Sequence, residues 1–165
     1  MGEYFWGFFL IIFGVLSSLP YFITKIIEGK TTNQSITVED LTIPKKNFVE
    51  LVLLYCHQNL GHHQHRVNLQ IYYYYNNKWG GLYNYRNRQI TLYIPRSLTL
   101  ENLTNNVIHE YVHYLQIVNP SDDLMYNKHT QTLGYWDNPY EVEARKLAEK
   151  HQKHCLEWIL RNLSS

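Results

Sequence analysis

Along "VIHEYVHYLQ", residues 107–116, the apolar residues Ile108, Tyr111, Val112 and Leu115 recur at i, i+3, i+4 and i+7. That spacing is the buried stripe of an amphipathic helix, here running from Thr99 to Asn119–Pro120. A second helix is predicted over "TIPKKNFVELVLLYCHQNLG", with Thr42 as cap, Pro44 in the first turn and Gly61 as the stop. Its apolar residues surround it almost completely, which predicts deep burial. "VNLQIYYYY" alternates as a strand, "NNKWGG" reads as a turn, and "LYNYRNRQITLYIP" reads as a hairpin turning near "YRNR", with a strand from Gln89 to Ile94. Residues 121–137 read as a long loop entered through the turn chemistry of "NPSDD". A last helix starts at "DNPYE", with Asn138 as cap, Pro139 at the first position and Glu141 three residues after the cap. It runs to about Leu163. No internal repeat is present. The pattern predicts an α+β domain: a core helix, a small antiparallel sheet and two further helices.

The N-terminus departs from that pattern. Tyr4 to Thr24 is 21 residues without a charge, and a helix of ~20 apolar residues spans a bilayer. Tyr4, Trp6 and Tyr21 lie near its ends, where aromatic belts form, and Pro20 falls where a break costs little. A cleaved signal peptide would want a positive n-region, and only Glu3 precedes the run. Trp6 at the position that requires Ser or Thr excludes a myristoylation signal. Residues 25–41 are polar with small residues and read as a linker or first strand. The expected organisation is an uncleaved transmembrane anchor over 1–27, a linker over 28–41 and a domain over 42–165. Lys25 and Lys30 follow the span and no Lys or Arg precedes it, so the positive-inside rule favours a cytoplasmic domain in a single-pass protein. Sequons at Asn33, Asn102 and Asn162 would be open to glycosylation only on the lumenal side.

Composition narrows the function by exclusion. The formal net charge is +1 and charged residues make up 18% of the chain, so no strong field steers it to nucleic acid. Fifteen tyrosines could stack on bases, but without a basic stripe they read as aromatics that fill strands. Cys56 and Cys155 stand far apart among apolar residues and read as two buried thiols. His57, His62, His63 and His65 form a His-rich tract. It reads as a polar loop after a helix end, because its spacing offers no compact ligand pair beyond a loose His62/His65.

Chemistry concentrates between the apolar positions of the opening helix. His109 and His113 are i and i+4, so their imidazoles stack on one face and can point at one ion. Zinc takes imidazole nitrogen at ~2.0–2.1 Å, and this pair supplies two ligands without strain. Glu110 lies one step round the helix and can instead reach a water held by the metal, which is the H-E-x-x-H arrangement of metallopeptidases. A catalytic zinc needs a third protein ligand and an open fourth position. The metzincin pattern is excluded, because Gln116 and Asn119 stand where its glycine and third histidine belong. The alternative is a glutamate on a later helix. Glu141 and Glu143 follow His113 by 28 and 30 residues and point ~200° apart, so one at most faces the metal.

"HEYVHYLQ" followed by "NPYEVEARKLA" resembles the gluzincin metallopeptidases of the zincin-like clan, closest to small bacterial and viral members with an E-x-E-A helix. The resemblance covers about residues 89–150. It implies that Glu141 is the zinc ligand and that Ala144 is the small residue through which the two helices approach. It also implies that Glu110 is the general base of peptide hydrolysis and that "RQITLYIP" is the sheet edge where an extended peptide adds as a strand. A donor to the developing oxyanion is expected from Tyr135, Tyr140 or His129. One departure stands out: Arg145 occupies the place of an Asp or Asn that in many relatives holds a metal-bound His. The expected function is thus a membrane-anchored zinc metallopeptidase acting on a peptide or protein. Its rival is a membrane-anchored, zinc-binding interaction protein that keeps the fold without turnover.

Overall fold

The computed structural model describes residues 36–163, apart from 42 and 77. Its elements in chain order are α1 (Lys45–Asn59), β1 (Asn68–Tyr72), β2 (Gly81–Asn84), β3 (Gln89–Tyr93), α2 (Leu100–Gln116), α3 (Pro120–Leu133) and α4 (Pro139–Leu163). The architecture is α+β, with four helices and one small three-stranded sheet.

The fold is organised on α2. Thr99 opens it, its Oγ1 accepting from the Asn102 N–H at 3.1 Å, which satisfies one of the free donors at a helix start. Of the predicted stripe, Ile108, Tyr111 and Val112 are buried and Leu115 is partly buried against the core, with Val107 buried beside them. α1 packs on it through Phe48, Val49, Val52, Tyr55 and Cys56. α4 also lies against it, with Ala144 and Ala148 fully buried. Cys56 and Cys155 are buried free thiols, and burial pushes the Cys155 thiol up to about 12. The His-rich tract is tied to the back of α2. Tyr111 Oη donates to the Gly61 carbonyl at 2.8 Å, and Tyr114 Oη donates to the His65 carbonyl at 2.7 Å.

The sheet corrects one expectation. Its order is β1-β3-β2, with β2 antiparallel to β3 but β1 parallel to it, so the sheet is mixed and not antiparallel. Alternation specifies which face a strand buries, not its direction. The turn around Arg88, whose φ is 51°, joins β2 and β3 as the predicted hairpin. Residues 73–80 are long enough to carry the chain past β3, and they leave β1 on its far side.

A second correction concerns 121–137, expected as a loop. Most of it is α3, and α2 ends at Gln116. "NPSDD" is a helix start: Asn119 Oδ1 accepts from the N–H groups of Ser121 and Asp122 at 2.8 and 3.1 Å. Asp122 returns the contact, accepting from the Asn119 N–H at 3.2 Å, with Pro120 at the first position. The helix buries none of its residues, so it carries no apolar period to read. Gly134, at φ 81°, ends it.

α4 begins as expected, with Asn138 Oδ1 accepting from the Tyr140 N–H at 3.1 Å. α1 has Pro44 at its cap position, and the expected cap Thr42 lies outside the described residues. The last part of the expected linker docks on the domain: Val38 is buried, its N–H donates to the Leu98 carbonyl at 2.8 Å, and Thr37 bridges Thr99. The apolar run Tyr4–Thr24 lies outside the described residues. Among those described, no helix is long and apolar enough to cross a membrane.

Candidate metal centre

α2 and α4 bring His109, His113 and Glu141 together. The two Nε2 atoms are 3.1 Å apart; His109 Nε2 lies 3.2 Å from Glu141 Oε2, and His113 Nε2 lies 3.3 Å from Glu141 Oε1. These are the lengths of a coordination polyhedron's edge. A four-coordinate cation with bonds of ~2.0–2.1 Å sets neighbouring ligand atoms ~3.3 Å apart. Glu141 is only 2% exposed, and its Oε2 is buried without a hydrogen-bond donor: His109 Nε2 approaches it without the alignment of a bond. Two imidazole nitrogens facing each other over a buried carboxylate make a donor set able to hold a cation. The group can hold a metal ion through one atom from each residue. Glu143, the rival ligand, is exposed and not part of it.

The sequence produces this arrangement locally. The i, i+4 spacing aligns the imidazoles. Asn138 and Pro139 fix where α4 starts, so Glu141 falls in its first turn facing α2. Desolvation works to raise the Glu141 carboxyl, but the adjacent imidazoles outweigh it and hold the carboxyl well below the usual carboxylate range. Desolvation likewise opposes the charging of His113, and Glu141 with Glu110 overcomes it, so the His113 pKa is raised.

Two residues that the sequence did not single out hold the group in place. Tyr126 of α3 donates from Oη to Glu141 Oε1 at 2.7 Å, and its ring packs edge-on against His113, with centroids 5.8 Å apart. Gln116 Oε1 lies 2.9 Å from His113 Nδ1, so an amide one turn along α2 holds the outer nitrogen. Arg145 does not take that role. Its Nη2 donates to the Trp136 carbonyl, its guanidinium stacks over the Trp136 ring at 5.1 Å, and its buried Nη1 lies 3.9 Å from Glu141 Oε2.

Glu110 stands beside the triangle and not in it, at 7% exposure. Burial pushes its carboxyl up to about 7, against the pull of His113 and His109, with the Tyr83 backbone lowering it slightly. The start of β2 presses on it. A Cβ added at Gly81 would lie 2.6 Å from Glu110 Cγ and 2.8 Å from its Oε1. "WGG", read as a turn, is thus also a close approach that only glycine permits. This corrects the expected sheet edge: "RQITLYIP" supplies the central strand β3, and the edge beside Glu110 is β2.

Of the three oxyanion candidates, only Tyr135 reaches the group. Its phenol lies in the field of Glu141 and Glu110; burial first, then these two carboxylates, raise its pKa. Tyr140 and His129 stand one layer back, with the Tyr140 ring 5.9 Å from that of Tyr126 and 6.1 Å from that of His129. α3 carries no apolar period, so nothing in the pattern pointed to Tyr126. Gln116, three residues after His113 on the same face, could have been found by its spacing. Comparison with protein-family models, curated proteins and solved structures finds no match.

Proposed function

We propose that this chain is a membrane-anchored zinc metallopeptidase of the gluzincin type. The observation that carries the reading is the division of labour in one turn of α2. His109 and His113 converge with Glu141 on one point, while Glu110, chemically able to join them, is held outside. A site that only bound metal would have no use for a second buried carboxylate at its border. His109, His113 and Glu141 would hold the zinc, and their two-nitrogen, one-oxygen donor set suits that ion. When bound, zinc supplies a Lewis acid and lowers the pKa of water toward ~7.

The remaining roles fall to the chain. Glu110, with a carboxyl near 7, takes a proton from the attacking water and passes it to the leaving amine. The Tyr83 backbone and Gly81 fix the aim of that carboxylate. Tyr135 donates to the carbonyl oxygen as charge develops on it. The outer edge of β2 has no partner strand among the described residues, and an extended peptide adds there.

Arg145 favours a second reading, that of a zinc-binding interaction protein without turnover, because its cation beside Glu141 opposes a second cation. The two readings separate on one preparation of wild type and Glu110→Gln, assayed for zinc content and for cleavage of an unfolded protein. Metallopeptidase activity requires zinc in both and cleavage by wild type alone, with Glu110→Gln slowed roughly 10²–10⁴-fold. Zinc in both with cleavage by neither establishes the second reading. Equal cleavage removes Glu110 from the mechanism.

A further inference from the structure

We propose that Glu143, acting through Gln116, sets the tautomer and the aim of the His113 imidazole; this rests on the zinc-site reading. The Gln116 amide bridges α2 and α4. Its Nε2 donates to the Tyr140 carbonyl at 3.1 Å and to Glu143 Oε2 at 2.9 Å. Both partners are acceptors only. Turning the amide over would set its oxygen against two oxygens and lose both bonds, so its orientation is fixed by chemistry and not by choice of rotamer. Oε1 therefore faces His113 Nδ1, 2.9 Å away.

An amide oxygen can only accept, so Nδ1 must carry the proton. A neutral imidazole protonated at Nδ1 has its lone pair on Nε2. That is the atom 3.1 Å from His109 Nε2 and 3.3 Å from Glu141 Oε1. The relay thus presents the ligand lone pair to the cation and holds the ring against rotation. It also gives the two glutamates of "EVEA" separate uses. Pointing ~200° apart on α4, Glu141 enters the triangle while Glu143 reaches the last turn of α2. Glu143 and Gln116 are positioning residues: neither touches the metal triangle.

The test measures zinc affinity of the full chain by chelator competition. The variants are Gln116→Ala, Glu143→Ala and Glu143→Gln, with folding checked by circular dichroism. Gln116→Ala is expected to weaken binding roughly 10–100-fold. Glu143→Ala gives a smaller loss, because the Tyr140 carbonyl still holds one amide hydrogen. Glu143→Gln restores affinity to near wild type, because its amide oxygen accepts as the carboxylate did; a merely electrostatic role would not survive that change. Glu143 is exposed, so its variants read out even where Gln116→Ala fails to fold. Nitrogen spectra of the cadmium-loaded chain add an independent readout: coupling at His113 Nε2 with a proton on Nδ1 is expected in wild type, and coupling at Nδ1 overturns the relay. Wild-type affinity in both alanine variants also overturns it and leaves the zinc site standing. A wild-type chain that takes up no zinc overturns both.

Discussion

Gly81→Ala is a one-methyl change aimed at Glu110. Neither Gly81 nor Gly80 has a positive φ, so alanine strains neither backbone. What it meets is a side chain. At Gly81 the new Cβ lies 2.6, 2.8 and 3.0 Å from Glu110 Cγ, Oε1 and Cδ; at Gly80 it lies 2.5 Å from Asn106 Nδ2 and 3.0 Å from its Cγ. The two clashes are equally tight and differ only in whom they move. Overpacking of this kind costs about 1–3 kcal/mol, partly offset by the ~0.4–1 kcal/mol that Gly→Ala takes from the unfolded chain's freedom. Both variants should therefore melt within roughly 10 °C of wild type. Activity should part them. Gly81→Ala turns the Glu110 carboxylate off its line and slows peptide cleavage roughly 10²–10⁴-fold while zinc content stays at the wild-type level. Gly80→Ala moves only an amide and keeps the rate within a small factor. Melting curves, zinc analysis and cleavage of an unfolded protein by the same three preparations decide the matter. Equal rates for the two variants, or loss of zinc in Gly81→Ala, would show that Gly81 does not set the aim of Glu110.

Glu110 also predicts a pH dependence in zinc-stripped protein. Its folded-state pKa of about 7 stands above the ordinary 4.5, so the fold disfavours the charged form. Its contribution to stability falls as pH rises from 4.5 to 7 and is flat beyond. Glu110→Gln escapes that fall, so it should exceed wild type by a difference that grows to ~3 kcal/mol above pH 7 and vanishes near pH 4.5; urea titrations at several pH values check this, and a pH-independent difference contradicts it. Deletion of residues 1–27 is expected to release a membrane-bound chain into solution with its helical circular-dichroism signal intact, whereas carbonate extraction that frees the full-length chain would contradict an integral anchor.

The parts of this fold legible in the sequence are those where burial writes a period. α2 and α4 carry apolar residues at helical spacing, with Thr99 and Asn138 at their starts, and both run nearly where the pattern puts them. The His109/His113 pair is legible as i, i+4 histidines on one helix face, Glu141 is preferred over Glu143 only through the family resemblance, and the packing of α4 on α2 brings the three together as a group that could hold a metal ion. α3 was illegible because it buries no residue. Its inward contacts are polar, with Tyr126 on Glu141, and Thr130 and the Tyr126 carbonyl on Asn138, and polar contacts leave no hydrophobic stripe. Strand direction was illegible because alternation is the same read either way.

The same distinction separates the candidate ligands from the residues that support them. A candidate ligand must be a residue type with the right lone pair, so the His109/His113 pair stands out by identity, whereas Glu141 and Glu143 are alike in identity and only the resemblance to the E-x-E-A helix prefers Glu141. A support need only offer a donor or acceptor at the right point, and any of several residue types or a backbone group can do so. Here those points are filled by a phenol on α3, an amide on the last turn of α2 and the backbone of Tyr83 on β2. Two further elements, α3 and β2, therefore converge on α2 and α4 around the triangle and Glu110. Gly81 marks where one of them comes too close for a side chain. Read forward, a glycine pair before an edge strand, in a chain with an H-E-x-x-H helix, is a sign that strand and helix touch at the glutamate. That sign was in "WGG" and was hidden by its equal fitness for a turn.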